Sequence, residues 1–423
     1  MCRSIHWFSM CAASCLVVQA VPAMASPGDA PSDKNTVTYA KQISRIFQSR
    51  CQDCHRPGQI GPFSLLDFES AKNWSDTIKE VVNERRMPPW FADRSAHKFS
   101  NDRSLSDEEL ATINRWIDAG CPKGDDADLP QPRRFTDGWF IGQPDAVFTM
   151  NEQYEVPATG TIPYKYFVIP TNFTEDKWIQ SIELKAGAPS VVHHILMSVR
   201  PPEAQAIQRF RDSRDSDEAS LGFFAALAPG YVPPGFPSGF GKKIPKGANI
   251  VFQMHYTPNG TPATDRSSVG LVFAREPVHT EVRTRGIFNN FFTIPANDDN
   301  YKVTSGFRFP QDSVVLSFMP HMHLRGKDFE YTAEYPDGRT EKVLNVPHWN
   351  FNWQVHYELE KPLTMPKGSK ISCVAHFDNS AANKANPDPN KRVGWGDQTW
   401  DEMMIGYINY YVPHSETTSG AGR

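Results

Sequence analysis

The chain has little cysteine: of 423 residues only seven, and Cys2, Cys11 and Cys15 all fall within the first fifteen positions. A disulfide-framed small scaffold is therefore excluded, and four thiols remain for a long chain, Cys51, Cys54, Cys121 and Cys373. A basic excess is also missing. Lys and Arg number 44 against 48 Asp and Glu, a formal net charge of -4, so nothing favours the phosphates of a nucleic acid. After the first residues no apolar run approaches the length of a membrane span. Helical periodicity is scarce beyond Phe135. What is present is a hydrophobic fraction of 39% and an aromatic fraction of 12%, the composition of core-forming domains, in a chain long enough for about two to four of them.

Arg3, the apolar stretch through Leu16, Val17 and Val18, and Ala23-Met24-Ala25 as a small-x-small cleavage site make residues 1–25 a secretory signal. The mature protein is expected to begin near Ser26, without a membrane span, in the periplasm or outside the cell. A lipobox around Ala12-Ala13-Ser14-Cys15 lacks its leading leucine. In an oxidising compartment Cys121 and Cys373 can be disulfide partners or two buried free thiols, and spacing leaves both open.

Cys51-Gln52-Asp53-Cys54-His55 is the attachment pattern of a c-type haem, with two thiols for thioethers and a histidine as proximal iron ligand. A redox pair or half a zinc site needs no histidine at that place, and no second Cys-x-x-Cys completes a zinc ribbon. Tyr39, Ile43, Ile46 and Phe47 fall at helical spacing before it, and Trp74, Ile78, Val81 and Val82 repeat the pattern. Ser106 with Glu109 reads as a capping box, Leu105 and Leu110 as its staple, Ile113, Trp116 and Ile117 as the inner face, and Gly120 as the stop. Between these helices, Arg86-Met87-Pro88-Pro89-Trp90 is an extended segment that can present Met87 to the iron, with His97 as a rival ligand. Residues 36–125 resemble the cytochrome c domains of bacterial secreted enzymes. The Pro-rich stretch Pro122–Pro132 then reads as a linker.

From Phe135 short apolar runs alternate with Pro, Gly, Asn and Asp, the pattern of all-β domains. Glu203–Ala226 is the exception, a plausible helix, followed by Pro229–Phe236 as a rim or lid loop. An internal repeat runs through this part. Pro245-Lys246-Gly247 precedes His255 by ten residues, and Pro366-Lys367-Gly368 precedes His376 by the same ten, each a turn feeding a strand. In Pro320-His321-Met322-His323, after the apolar run Val314–Phe318, two imidazoles two apart at a strand end share one face, which is half a metal site. Met403 offers a soft thioether suited to Cu(I) as a third ligand. His193 and His194 are adjacent, so they can share a metal only at a strand end or bulge.

In this order the motifs resemble the copper type II, ascorbate-dependent monooxygenases, the peptidylglycine and dopamine β-hydroxylating family, over about residues 136–413. The resemblance implies two all-β jelly-roll-like sandwich domains, 136–285 and 286–413, facing one another across a solvated cleft, behind the small all-α cytochrome c domain. It implies two copper ions: one held by His193, His194 and His255, which relays electrons, and one held by His321, His323 and Met403, which binds O2 beside the substrate. His321, His323, Met403 and Tyr407 are then the catalytic residues, and Cys51, Cys54, His55 and Met87 hold one haem c. The partners implied are a small organic substrate, O2, and a periplasmic electron donor or ascorbate-like reductant. Two positions depart from the peptide-amidating members: their substrate-carboxylate arginine is Met319 here, and an asparagine is Ile405, which points to a less charged substrate pocket. His376 is expected to be structural or to support a ligand, and His279, His348, His356 and His414 to lie at the surface or in packing. The alternative is a non-catalytic haem and copper protein that only relays charge or stores metal, for which Met403 beside an open coordination position is unnecessary.

Overall fold

Ser106 accepts from the Glu109 backbone while the Glu109 carboxylate accepts from the Ser106 N–H, so the expected capping box opens the helix Asp107–Asp118. This is the longest of four short helices in a computed structural model of the chain, which describes residues 36–94, 96–135, 138–200, 223–227 and 235–413. The secretory signal, most of the 203–226 helix, the loop 229–234 and His414 lie outside the described residues. The other three helices are Ser44–Arg50, running on from a π turn at Tyr39–Ile43, then Phe68–Asn73 and Ser75–Asn83. Tyr39, Ile43, Phe47, Ile78, Val82, Ile113 and Trp116 make their shared core, while Trp74 stays 42% exposed and stacks on Phe63 instead.

The expected fold class needs correction. The chain is mostly β, with 38% strand against 12% helix and four larger sheets in a propeller-like, four-bladed arrangement, and no all-α cytochrome c domain is evident. A physical reason lies in the segment after Asn83. Its prolines keep it extended, and it carries Trp90, Ala92 and Phe99 out of the helical core into a β core, where Trp90 and Phe99 pack edge-on against Tyr357. Backbone bonds seal the seam: Asp93 N–H donates to Asn345 O at 2.8 Å, and Ser100 N–H to Glu358 O at 2.8 Å. Residues from Val37 on accordingly form one compact unit.

Two of the four sheets share one core and two share another. In the first pair, the sheet that matters for the site is ordered Lys165–Pro170, Asn249–Tyr256, Val192–Arg200, Phe223–Leu227. In the second, one sheet is ordered Arg283–Phe288, Ile405–Tyr411, Ser313–His321, Tyr357–Met365, and the other Tyr301–Arg308, Lys370–Phe377, Gly326–Glu334, Thr340–Val346. Phe223–Leu227, expected as the end of a helix, is thus an edge strand, because pairing against Val192–Arg200 buries Phe224, Ala225 and Ala226.

The sequence repeat is a structural one. Gly247 and Gly368 both adopt positive φ, +67° and +87°, where a side chain would be strained. Lys246 N–H donates to Asp176 at 2.9 Å and Lys367 N–H to Asp312 at 2.7 Å, so the two turns are tied in the same way. Both feed the second strand of a four-stranded sheet. The histidine pairs do not follow the repeat. Val192–Arg200, with His193 and His194, is the neighbour of the first repeat strand, whereas His321 ends a strand in a different sheet from the second. Cys121 and Cys373 are both free, each buried in a separate core, which settles the open disulfide question.

Candidate metal centres

His194 and His255 lie directly opposite in the register of Val192–Arg200 against Asn249–Tyr256, and the register shifts between Val192 and His194. That irregularity turns His193 to the same side as its neighbour. The three Nδ1 atoms converge: His193 to His194 is 3.1 Å, His193 to His255 is 3.1 Å, and one nitrogen from each ring lies within 4.8 Å of the others. Burial holds His193 at about 4 and His255 at about 3, and it holds His194 well below the usual histidine value, with mutual repulsion adding to the last two. All three rings are therefore neutral near pH 7, the form in which imidazole binds a metal.

The second pair is built differently. His321 ends its strand and His323 sits just beyond, with ring centroids 5.2 Å apart at 90°, both buried. His321 Nδ1 donates to Gln354 Oε1 at 2.6 Å, and His323 Nδ1 to the Asp401 carbonyl at 3.2 Å, which leaves both Nε2 atoms for a metal. Burial lowers His321 to about 4 and His323 well below its ordinary value.

Met403 lies two residues before the strand Ile405–Tyr411, whose pairing with Ser313–His321 ends at Ile405 opposite His321 and Gly406 opposite Pro320, and it packs against the apolar cluster of Met319, Ile405 and Tyr407. Glu402, fully buried, pins the arrangement: its oxygens accept the N–H groups of His323 at 3.0 Å and Arg325 at 2.6 Å. Burial pushes Glu402 up to about 8, opposed by those donors and by the buried Arg325 guanidinium. Met404 turns away into the core, so the two adjacent methionines occupy different surroundings.

Around both clusters buried polar atoms stand without a partner: His194 Nε2, His323 Nε2, Gln354 Nε2 and Tyr164 Oη. Each such atom costs about 1–3 kcal/mol, so their concentration here fits a site that is completed by bound groups. The donor sets, three imidazoles and two imidazoles near a thioether, suit copper.

Residues 296–420 match the family model of the copper type II ascorbate-dependent monooxygenase C-terminal domain. The matched segment contains His321, His323, Met403 and Tyr407, and it supports an oxidoreductase of the copper-dependent monooxygenase kind. His193, His194 and His255 precede it. Comparison with curated proteins returns no match. Among solved structures, the major capsid protein P2 of bacteriophage PM2 is 9% identical over 64% of this chain and 98% of its own, with a TM-score of 0.26. PNGF-II is 10% identical over 64% and 66%, with a TM-score of 0.29. Likenesses this remote carry no argument.

The two histidine clusters have a common neighbour. Tyr164 lies with its ring centroid 5.1 Å from His255, 5.9 Å from His194 and 6.3 Å from His323, so it touches both clusters. Beside Met403 an apolar cluster of Ala226, Met319, Ile405 and Tyr407, with Leu196, Phe223, Phe288 and Trp395, joins the halves. Tyr407 stacks on Phe223 at 4.5 Å. Gln354, Glu402 and Tyr164 were missed from sequence; only Glu402, beside Met403, carried a local signal. His376 is engaged elsewhere, 2.7 Å from Asp328.

Near the amino terminus, Cys51, Cys54 and His55 sit in turns after Ser44–Arg50. His55 Nδ1 donates to the Phe63 carbonyl at 3.1 Å, which leaves Nε2 as the nitrogen for an iron. Burial pushes the Cys51 thiol up to about 12 and raises Cys54. Met87 lines a cavity of about 280 Å³ with Arg85, Trp90, Arg94, Ser104 and Leu105, and neither cysteine nor His55 is among its lining residues. His97 is drawn to the β body, 2.8 Å from Glu341.

Proposed function

We propose that the chain is a copper-dependent monooxygenase that hydroxylates a C–H bond of a small, uncharged organic substrate with O2. The observation that carries this reading is His323 Nε2, buried without a partner beside His321, at the end of a strand paired with the one that follows Met403. Copper held there and at His193, His194 and His255 would supply O2 activation and the second electron that insertion of one oxygen atom requires.

The chain's own residues do the rest. Gln354 and the Asp401 carbonyl fix both imidazoles in the tautomer that exposes Nε2, and Glu402 ties the two ligand-bearing segments together. Met319, Ile405, Tyr407, Phe223, Phe288 and Trp395 offer apolar surface beside Met403, exclude water from it, and carry no charge to hold a carboxylate. Tyr407 is the substrate-side residue of this set.

We further propose that Cys51, Cys54 and His55, with Met87 as a further ligand, would hold one covalent haem c, which would supply a one-electron entry from a periplasmic donor or ascorbate-like reductant. The leader-like residues 1–25 support a periplasmic or secreted location. The test is purified protein with copper, a reductant and a panel of apolar substrates under 18O2. One labelled oxygen atom per product molecule is expected, with two coppers bound. Two coppers with no oxygen transferred to any compound would favour the electron-relay alternative.

A further inference from the structure

Residues 349–354 form the loop between the strands Thr340–Val346 and Tyr357–Met365, and they reach both histidine clusters. Phe351 lies nearly parallel to His193, 5.3 Å between centroids at 17°, and is 5.5 Å from His255 and 6.2 Å from His323. Asn352 Oδ1 accepts from His193 Nε2 at 3.2 Å. On the other cluster, Gln354 holds His321, and Trp349 Nε1 donates to the His323 carbonyl at 3.1 Å. One six-residue segment thus orients ligands of both sites, and its middle ring is packed between them.

We propose that this loop couples the two sites: ordering by metal at one seats Phe351 and Asn352, and so pre-forms the other through Trp349 and Gln354. The inference rests on the copper reading above. The segment is compactly tied: Trp353 N–H donates to Asn350 O at 2.9 Å, Asn352 N–H to Asn350 Oδ1 at 3.0 Å, and Trp349 N–H to Lys327 O at 2.8 Å, so a shift at Asn352 is passed through Trp353 to the adjoining Gln354. Rigid sharing of one support by two binding events gives a coupling free energy between them. These are positioning residues, and their role is read in affinities.

The experiment is an anaerobic Cu(I) titration of the full chain against a chromophoric chelator. His255→Ala disables the three-histidine site, and the affinity of the remaining site is compared in the native loop and in a Phe351→Leu, Asn352→Ala loop. With the native loop, His255→Ala should weaken the remaining site about tenfold, within the usual range of coupling. With the altered loop that effect should shrink to less than about twofold. Equal weakening in both backgrounds overturns the coupling and leaves the monooxygenase reading standing, whereas a wild-type chain that binds no copper overturns both. A second measurement needs no variant. Pulsed electron paramagnetic resonance of the chain loaded with Cu(II) at both sites should give one narrow copper–copper distance, and a broad spread of distances would overturn the shared support.

Discussion

Lys242 offers a test of the packing between the two β halves that is independent of any metal. Its ammonium is 5% exposed and donates to the Phe224 carbonyl and to Thr284 Oγ1 at 2.7 Å each, with Asn409 Oδ1 at 3.4 Å. Burial lowers it from 10.5 to about 7, with the Glu358 carboxylate as the opposing influence; nearby His356, held at about 3 by burial and by Lys242, stays neutral. The folded value lies below the unfolded one, so the unfolded chain binds the extra proton between them. Stability from this group is therefore fully present above 10.5 and is lost as pH falls toward 7. At about 1.36 kcal/mol per pH unit, flattening near each end of the window, the wild-type chain should gain roughly 2 kcal/mol between pH 7 and pH 9 through Lys242 alone. Lys242→Met fills similar volume without the titration. Urea denaturation of both proteins at the two pH values gives the comparison, and the difference between their pH slopes isolates the lysine from every other group. Equal slopes would refute the reasoning and mean that the three acceptors keep the ammonium charged throughout.

Met403→Ala should lower Cu(I) affinity at the His321/His323 pair and cut hydroxylation by orders of magnitude, while Met404→Leu, a core change of similar volume, should cost under about 1.5 kcal/mol; copper–sulfur scattering in X-ray absorption should vanish only in the first. Glu402→Ala strands the buried N–H groups of His323 and Arg325, so a loss of about 2 kcal/mol or more is expected in urea unfolding, together with the copper of that site. Haem should remain on the denatured, gel-separated chain by peroxidase staining and disappear in the Cys51→Ala, Cys54→Ala double variant. Staining that survives the double change would remove the haem from the account.

Local signals were the ones legible in the sequence. The capping box at Ser106, the buried helical faces around Ile43 and Trp116, and the twin Pro-Lys-Gly turns are written within a few residues and appear as expected. The histidines and Met403 could be singled out because metal-binding residue types are rare enough to stand out in β segments. Long-range features were invisible. Nothing near Trp90 or Phe99 says that their partner is Tyr357, more than 250 positions later, and so the helical segment was misread as a domain closed upon itself. Gln354 and Phe351 escaped for a similar reason, since a glutamine or phenylalanine in a loop has no signature until its neighbour across the fold is known. The histidine pairs fall outside the repeat because sequence spacing records order along the chain and carries no record of which sheet a strand enters.

The strap from Met87 to Arg103 bears on how the protein is made. It leaves the ribosome long before Tyr357 and Leu359, so its apolar side chains spend most of synthesis without the surface they are meant to cover. The strands that await them are in turn incomplete until a segment from far upstream returns to pair with Leu359. A chain arrested between these points would leave Trp90 exposed with no Tyr357 to cover it, and a chain cleaved there would rely on that packing alone to keep strap and socket together.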